Sequence, residues 1–256
     1  MIVPEDAGQI ILANCSGIII KNISIEKIDA AIQLSFSYNN IIKHNNLCNS
    51  NIGLVLIESC LNNIIENNIV NNENGNLILS CSNDNLFFRN NFITNDCNVY
   101  DECENIWDDG FPSGGNYWSD YEERYPYAQE IDDSGIWDTP YGIPGGDNYD
   151  FYPYCQSNGW KMPRNPRPIH NQKYTDCYTN LSWTYTNDEQ ATFHVYLGNN
   201  LNDLTLVNIT NDTIYNPEGH LQPMTKYFWQ IIVITDNQII EGPIWVFKTG
   251  YLASQR

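Results

Sequence analysis

The sequence predicts an all-β protein in which a right-handed parallel β-helix is followed by a small β-sandwich. Asn-Asn or Asp-Asn pairs recur every 22 or 23 residues in the first hundred residues, and a short apolar run follows each pair. β-Branched and aromatic residues fill most apolar runs, which favours strands over helices. After a proline-rich segment, short runs of alternating apolar and polar residues are separated by turn residues, which is typical of a sandwich.

The repeat is the main reason to predict a β-helix. It comprises residues 39–47, 62–69 and 84–92, with a looser copy at 16–23. One coil of about 22 residues supplies two or three short strands, and each strand pairs in parallel with the same strand of the next coil. Apolar side chains then stack inside, while corner asparagines adopt the left-handed conformation and bond to neighbouring coils. Leucine-rich repeats have a similar length, but their Leu-x-x-Leu-x-Leu frame is absent.

An aromatic segment rich in glycine follows the repeat. It contains Gly-Gly-Asn-Tyr-Trp-Ser-Asp-Tyr at residues 114–121 and Asp-Thr-Pro-Tyr at 138–141. Together with the repeat, these motifs resemble the NosD-like family of parallel β-helix proteins, which are found at the surface and in the periplasm of archaea and bacteria. The resemblance covers residues 10–155 and implies that the aromatic segment closes the β-helix. We therefore assign residues 1–155 to the first domain.

Four aromatic residues of this segment allow two interpretations. They are Trp107, Tyr117, Trp118 and Tyr121. They predict either a platform on which a sugar stacks or a cap on the apolar end of the β-helix, which would otherwise pair with another molecule. A cap is the more frequent role of such a cluster, and the two roles are compatible.

An acidic loop in the same segment has the spacing of a calcium site. The residues at positions 1, 3, 5, 7 and 9 of an EF-hand-type loop are Glu130, Asp132, Ser134, Ile136 and Asp138. Alternating oxygen ligands, a turn glycine at position 6 and a backbone carbonyl at position 7 suit Ca²⁺. Position 12 is Tyr141 instead of a bidentate glutamate, so an ordinary acidic turn is the other interpretation.

The name of the NosD-like family also points to copper, which requires converging His, Met and Cys side chains. The four histidines, His44, His170, His194 and His220, are scattered, and the three methionines are isolated. We therefore expect no copper site, and calcium is the cofactor that the loop pattern indicates.

A semi-rigid linker is predicted at residues 156–167, because three prolines fall within the six residues 163–168. Strand-like runs follow it at residues 181–185, 192–197, 227–233 and 244–247.

The run Leu-Gln-Pro-Met-Thr-Lys-Tyr at residues 221–227, with Trp183 and Trp229, resembles the fibronectin type III domain and its tyrosine corner. The resemblance implies a β-sandwich over residues 168–250 that serves as a spacer or a binding surface.

Charge and targeting signals restrict the partners and the compartment. The chain has 31 Asp and Glu against 12 Lys and Arg, a formal charge of −19 that repels nucleic acid and anionic lipid. No apolar run is long enough to span a membrane. A signal peptide is absent, but the repeat begins almost at Met1 without a preceding cap, so we expect a truncated start. Five N-glycosylation sequons also favour an extracellular, cell-surface or periplasmic location.

The eight cysteines include no Cys-x-x-Cys motif, which argues against zinc ribbons and thioredoxin-type chemistry. The spacing allows Cys97 to pair with Cys103 and Cys155 with Cys177. Free thiols buried within the solenoid are the other interpretation.

Enzymes built on β-helices place paired aspartates, or Lys and Arg, on one face of neighbouring coils. Here the outward position holds His44, Glu66 and Arg89, one coil apart at about 4.8 Å, and an ion pair between Glu66 and Arg89 explains them. We therefore predict a non-enzymatic structural or adhesion protein that binds glycans or surface proteins. The alternative is a carbohydrate-active enzyme, either a polysaccharide lyase or a glycosidase, that uses the β-helix face.

Overall fold

The computed structural model describes residues 4, 7–79, 81–94, 98–132, 134–186, 190–236 and 238–251, and of residues 77–79 the backbone alone. The chain divides into two compact units. The first comprises residues 1–130 and 136–159, and the second comprises residues 131–135 and 160–256. The fold is all-β, with 3% helix.

The first unit consists of short strands and one helical turn. In chain order they are β1 (Ile10–Ala13), β2 (Ile19–Lys21), β3 (Ser24–Glu26), β4 (Ala30–Ser35), β5 (Ile41–Lys43), β6 (Asn46–Cys48), β7 (Ile52–Ile57), β8 (Asn63–Ile65), β9 (Asn68–Val70), β10 (Asn76–Leu79), β11 (Leu86–Phe88), β12 (Asn91–Ile93), β13 (Tyr100–Asp101), β14 (Tyr117–Trp118), α1 (Tyr121–Arg124), β15 (Tyr141–Gly142) and β16 (Tyr149–Asp150).

Strands β1 to β14 form three parallel sheets around one core. The sheet orders are β1-β4-β7-β10-β13, β2-β5-β8-β11 and β3-β6-β9-β12-β14. Each strand pairs with its equivalent in the next coil, so that Ile20 aligns with Ile42 and Ile42 aligns with Ile64. This β-solenoid of about 5 turns confirms the predicted parallel β-helix. The right-handed sense of its coils stays a prediction.

The bends between the sheets lie at residues with a left-handed backbone. This region costs about 1–2 kcal/mol for most residues, and glycine and asparagine adopt it most readily. Four corner positions recur from coil to coil. Their columns are Asn14, Phe36, Glu58 and Cys81; Gly17, Asn39, Leu61 and Asp84; Asn22, His44, Glu66 and Arg89; and Lys27, Asn49, Asn71 and Thr94. The fold therefore imposes the conformation even where the side chain does not favour it.

Apolar side chains stack in register inside the coils. One buried column consists of Ile25, Leu47, Ile69, Phe92 and Trp118. A second consists of Ile20, Ile42, Ile64 and Phe87. In both columns the side chains change from aliphatic to aromatic towards the C-terminal coil.

Asparagine ladders run parallel to the apolar columns. One ladder consists of Asn40, Asn62, Asn85 and Asn105, and the other of Asn45, Asn67, Asn90 and Asn116. The backbone N–H and the Nδ2 of each asparagine both donate to Oδ1 of the asparagine in the next coil, at 2.9–3.0 Å. All of these bonds between asparagines therefore run towards the C-terminal end, where the last coil requires acceptors.

A serine ladder explains one of the cysteines. The backbone N–H of Ser37 donates to Ser59 Oγ at 3.0 Å, that of Ser59 to Ser82 Oγ at 3.1 Å, and that of Ser82 to Cys103 Sγ at 3.2 Å. The Cys103 thiol is free and buried, so it takes the place of the next serine.

Of the two alternatives for Cys155 and Cys177, the structure has the free thiols and not the pair. Cys155 belongs to the first unit, and Cys177 is buried in the second, where its thiol contacts the carbonyl of Gly250. Cys97, which the spacing allows as a partner of Cys103, lies outside the described residues.

The second unit contains two sheets. Its strands are β17 (Arg164–Arg167), β18 (Gln172–Thr175), β19 (Leu181–Thr184), β20 (Thr192–Gly198), β21 (Thr205–Thr210), β22 (Ile214–Tyr215), β23 (Lys226–Ile234) and β24 (Ile239–Thr249). One sheet has the order β17-β19-β22, and the other has the order β18-β24-β23-β20-β21. Leu181 and Trp183 of the first sheet share a buried cluster with Val195, Trp229 and Phe247 of the second.

The predicted linker is partly a strand, because residues 164–167 form β17 at the edge of the smaller sheet. An edge strand tolerates Pro166, since its missing N–H removes no bond between inner strands. The predicted tyrosine corner is present: the backbone N–H of Gln222 donates to the Tyr227 hydroxyl at 3.0 Å. Assignment of this unit to the fibronectin type III fold stays a prediction.

We expect Leu61→Asn to raise the free energy of unfolding by about 1 kcal/mol, because asparagine relieves the left-handed strain at this corner. Leu61 has φ 58°, and its side chain is 53% exposed, so little burial is lost. Urea denaturation measures the change. Ile11→Asn is the matched control, since Ile11 is 58% exposed but lies on a strand. An equal loss of stability in both variants would contradict the prediction.

Candidate functional site at the closed end of the β-helix

Both asparagine ladders end on buried carboxylates. Asp150 accepts from the backbone N–H of Asn116 at 2.7 Å and from its Nδ2 at 3.3 Å. Asp101 accepts from Nδ2 of Asn105 with both oxygens, each at 3.0 Å. An ionised carboxylate accepts hydrogen bonds and donates none, so it ends a series of donors without adding another.

A third aspartate, Asp120, has a similar position beside the last coil. It accepts from Nδ2 of Asn98 at 2.8 Å and from the Tyr141 hydroxyl at 3.0 Å. Asp120 directly precedes α1, and thus connects the final coil to the segment that follows it.

Donors surround Asp150. Besides Asn116, Trp118 Nε1 donates to it at 2.9 Å and the backbone N–H of Tyr152 donates at 3.1 Å. Gly115 leaves the space that this carboxylate occupies, because a Cβ at that position would lie 1.8 Å from Asp150 Oδ1. The glycine of the motif is therefore required by the aspartate 35 residues later in the chain.

Burial sets the proton affinity of these carboxylates. It raises the pKa of Asp150 to about 7, although the hydrogen bonds from Trp118 and Asn116 act in the opposite direction. Burial also raises the pKa of Asp101, although the hydrogen bonds from Cys103, Asn105 and Trp107 act in the opposite direction. Both groups thus hold their protons at a higher pH than an exposed aspartate.

Aromatic rings close the apolar core next to these aspartates. Trp118 lies between Phe92 and Tyr141, with ring centroids 4.4 and 4.2 Å away and nearly parallel planes. Trp107 stacks on Phe87 at 4.1 Å. The rings continue the aliphatic columns and cover their end.

The predicted sugar platform has few exposed ring faces. Trp107 and Trp118 are 1% exposed and Tyr121 is 2% exposed, and Tyr121 stacks on Trp137 at 5.3 Å. Tyr117 alone among the four predicted residues is partly exposed. In this arrangement a sugar ring has no free face of Trp107 or Trp118 on which to stack, and the geometry fits the cap interpretation.

A small cleft of about 230 Å³ lies beside the cap. It is lined by Tyr117, Trp118, Ser119, Tyr121, Glu122, Trp137 and Cys155. Burial raises the pKa of the Tyr117 hydroxyl and that of the Cys155 thiol, so both groups are protonated at neutral pH. Protonated groups of this kind can donate hydrogen bonds, but they are weak nucleophiles and weak bases.

The predicted calcium loop contains Asp138, whose carboxylate already binds local donors. Its Oδ1 accepts from the backbone N–H of Gln129 at 3.0 Å and from the Thr139 hydroxyl at 2.9 Å. These two hydrogen bonds lower the pKa of Asp138. Glu130 pairs with Trp137 in an antiparallel bridge.

The other predicted calcium ligands differ in their surroundings. Ser134 and Ile136 are buried, whereas Asp132 is exposed with φ 46°. Asp132 and Ser134 fall in the second unit, and Glu130 and Ile136 fall in the first. Within the described ranges, no three His, Cys, Asp or Glu side chains are grouped so that they could hold a metal ion. Calcium binding by this loop stays a prediction.

In the outward column predicted from the repeat, Glu66 lies between His44 and Arg89 and forms the predicted ion pair with Arg89. Glu66 Oε2 lies 3.1 Å from His44 Nε2, and Glu66 Oε1 lies 3.3 Å from Arg89 Nη1. Arg89 also donates to Ser113 Oγ at 3.1 Å, and the Ser113 hydroxyl donates to Asp109 at 2.6 Å. Burial alone would raise the pKa of Glu66, but the hydrogen bond from His44 and the charges of His44 and Arg89 lower it.

The first unit is a capped β-solenoid: three parallel sheets surround one core, asparagine ladders run inside it, and aromatic rings close its end. Residues 3–123 match the model of a family described as periplasmic copper-binding protein (NosD). The match and the β-solenoid fold together support a NosD-like parallel β-helix for this part of the chain. A search of curated proteins found no match. In the part of the chain that the structure describes, no helix has the length and apolarity needed to cross a membrane.

The copper in the family's description has no matching donor set here. His44 is paired with Glu66, and in the second unit His170 Nδ1 accepts from the backbone N–H of Val246 at 3.3 Å. His194 lies on strand β20, and His220 contacts the ring of Tyr178. Because these histidines lie on separate elements with separate partners, the described residues do not fit a copper centre.

The repeat pattern did not predict that Asp101, Asp120 and Asp150 accept hydrogen bonds from the asparagines of the last coil. The interval between ladder asparagines lengthens to 26 residues from Asn90 to Asn116, and Asp150 lies a further 34 residues along the chain. Repeat spacing therefore gives no position for the acceptor. The Gly-Gly pair before Asn116 is the one local signal that something packs closely there.

We expect the stability of the wild type to fall between pH 3.8 and about 7 relative to Asp150→Asn. The pKa of Asp150 is raised on folding, so in this window the folded state binds a proton that the unfolded state has released. The free energy of unfolding therefore decreases as pH rises, by at most about 1.4 kcal/mol per pH unit. Urea denaturation across this range measures the slope of each protein.

Asp147→Asn is the matched control, because Asp147 is an exposed aspartate of the same segment. Its pH dependence should follow that of the wild type. A constant difference in stability between the wild type and Asp150→Asn across the window would contradict the raised pKa.

Proposed function

We propose that the protein is a non-enzymatic structural module of the cell envelope or cell exterior. In this proposal the β-helix is a rigid rod with one closed end, and the second unit is a fibronectin type III-like spacer or contact surface. The observation that carries the proposal is the pair of asparagine ladders that continue without interruption to Asp101 and Asp150.

The ladders support a mechanical role because they satisfy polar groups inside the coils. Asn62, for example, is fully buried, donates forward to Asn85 and also donates from Nδ2 to the carbonyl of Ser37 in the preceding coil at 3.1 Å. A buried network in which every member is satisfied rigidifies a fold and specifies one arrangement. Three successive coils are thus held together by single side chains.

The column of Glu66 supports a role without catalysis. A general base needs a pKa near the working pH and a free lone pair. The pKa of Glu66 is lowered, and each of its oxygens already faces a basic side chain, His44 or Arg89. The column carries one carboxylate between two basic residues, so it lacks the acid and base pair that a glycosidase uses.

Two further observations support the proposed location and the proposed role of the second unit. The matched family is described as periplasmic, which favours a site outside the cytoplasm. In the second unit, the hydrogen bond between Gln222 and Tyr227 is the tyrosine-corner contact expected of a fibronectin type III-like sandwich. Such a unit supplies a surface and length, and no reaction follows from it.

We expect no cleavage when the full chain is incubated with polygalacturonate or alginate. The assays measure new reducing ends and the absorbance of unsaturated uronates, with a known lyase as the positive control. Product that forms with the wild type and disappears in Glu66→Gln would replace the structural proposal with a carbohydrate-active enzyme on the β-helix face.

We also expect the protein to fractionate outside the cytoplasm of the cells that produce it. Immunoblots of cytosolic, periplasmic and surface fractions measure this, and external protease tests surface exposure. Recovery together with a cytosolic marker protein would refute the proposed location.

A further inference from the structure

The second unit contains a basic cavity of about 240 Å³ on its larger sheet. Its lining includes Lys173, Lys226 and Lys248, with Asn171, Gln172 and the apolar Val246 and Phe247. These three residues are among only seven lysines in the chain.

The cavity lies where strand β18 departs from regular pairing with β24. Gln172 is aligned with Phe247 and Thr175 with Thr249, but the register shifts between these pairs. Tyr174, within the shift, has a left-handed backbone with φ 59°. Bulges of this kind redirect side chains and are frequent next to binding sites.

Two of the lysines are arranged in a way that lowers the stability of the fold. Lys226 and Lys248 lie directly opposite each other on β23 and β24. Like charges opposite one another in a sheet are destabilising, because their Cβ atoms are only about 5 Å apart. Lys226 Nζ lies 4.8 Å from the ring centroid of Phe228, a cation–π contact that does not neutralise its charge. Over the described parts of the chain, no carboxylate forms an ion pair with either lysine or with Lys173.

The three lysines of the cavity contrast with the charge of the rest of the protein. The first unit has 21 Asp and Glu against five Lys and Arg, whereas the second has ten against seven. A cluster of three uncompensated cations is therefore exceptional in this protein. It provides local attraction for an anion that the rest of the molecule repels.

We propose that this cavity binds the anionic group of an acidic saccharide, a carboxylate or a sulfate carried on a sugar ring. The three ammonium groups receive the anion, while the amides of Asn171 and Gln172 can both donate to and accept from sugar hydroxyls. Val246 and the lysine stems offer apolar contact to ring C–H groups. The choice of a saccharide over other anions rests on the proposed function, which places the protein outside the cytoplasm. The presence of the cavity and its positive charge is independent of that proposal.

Calorimetric titration of the full chain at low ionic strength tests this site. The probes are oligogalacturonate for the carboxylate, a sulfated dextran oligosaccharide for the sulfate, neutral dextran as the uncharged control and inorganic polyphosphate as the anion without a sugar. The variants are Lys226→Gln/Lys248→Gln and the charge-preserving Lys226→Arg/Lys248→Arg. Lys21→Gln/Lys27→Gln, in the first unit, is the control for the change in net charge.

We expect at least one acidic saccharide to bind the wild type and to bind at least about tenfold more weakly to the Gln/Gln variant. The Arg/Arg and Lys21/Lys27 variants should retain most of the affinity. Because the Gln/Gln variant removes repulsion across the strands, its thermal midpoint should not decrease, which shows that the loss of binding is local.

Equal affinity of the wild type and the Gln/Gln variant would overturn the proposal, as would equal binding of neutral dextran. Binding of polyphosphate but of neither saccharide would overturn the assignment to sugars. A cytosolic location together with saccharide binding at this cavity would refute the proposed function alone, so the two failures are distinguishable.

Discussion

The direction of the asparagine hydrogen bonds is the constraint on which the first unit depends. Every coil donates from its backbone N–H and its amide to the next coil, and none of these ladder bonds runs the other way. An amide that accepts the last of these bonds has N–H groups of its own that need an acceptor: Asn148 Oδ1 accepts from the backbone N–H of Asn105 at 3.3 Å, and its Nδ2 donates in turn to Asp101 at 3.1 Å. Asp101 and Asp150 solve this problem because a carboxylate accepts several hydrogen bonds and needs to donate none. The glycine pair, the tryptophans and the segment up to residue 150 all follow from the need to bring these carboxylates to the last coil.

This constraint also joins the polar and apolar parts of the cap. Trp118 continues the column of Ile69 and Phe92, and its Nε1 donates to Asp150. Trp107 stacks on Phe87 and donates to Asp101 at 3.0 Å. Each tryptophan therefore closes an apolar column with its ring and a polar ladder with its N–H. Tryptophan is suited to this place because it is large, apolar and has a single donor.

The sequence was informative where a residue's partner lies one repeat away. The period around Asn62 and Asn85 predicted parallel stacking, and the aligned positions of Glu66 and Arg89 predicted their ion pair. It was uninformative where partners are separated by irregular intervals, as with Asn116 and Asp150. Spacing alone also does not reveal that Asp138 accepts hydrogen bonds from Gln129 and Thr139. Likewise, Lys226 and Lys248 became neighbours only through the register of two strands.

The one-way ladder makes the rod modular in length. A whole coil inserted between two existing coils would receive donors from the coil before it and donate to the coil after it, so no polar group would lose its partner. Each such insertion would lengthen the rod by one strand spacing, about 4.8 Å, without any change to the terminal aspartates. An insertion of a single residue would instead move one ladder position out of alignment with its neighbours on both sides. Growth by duplication is therefore restricted to complete coils, and the same terminus can serve rods of many lengths.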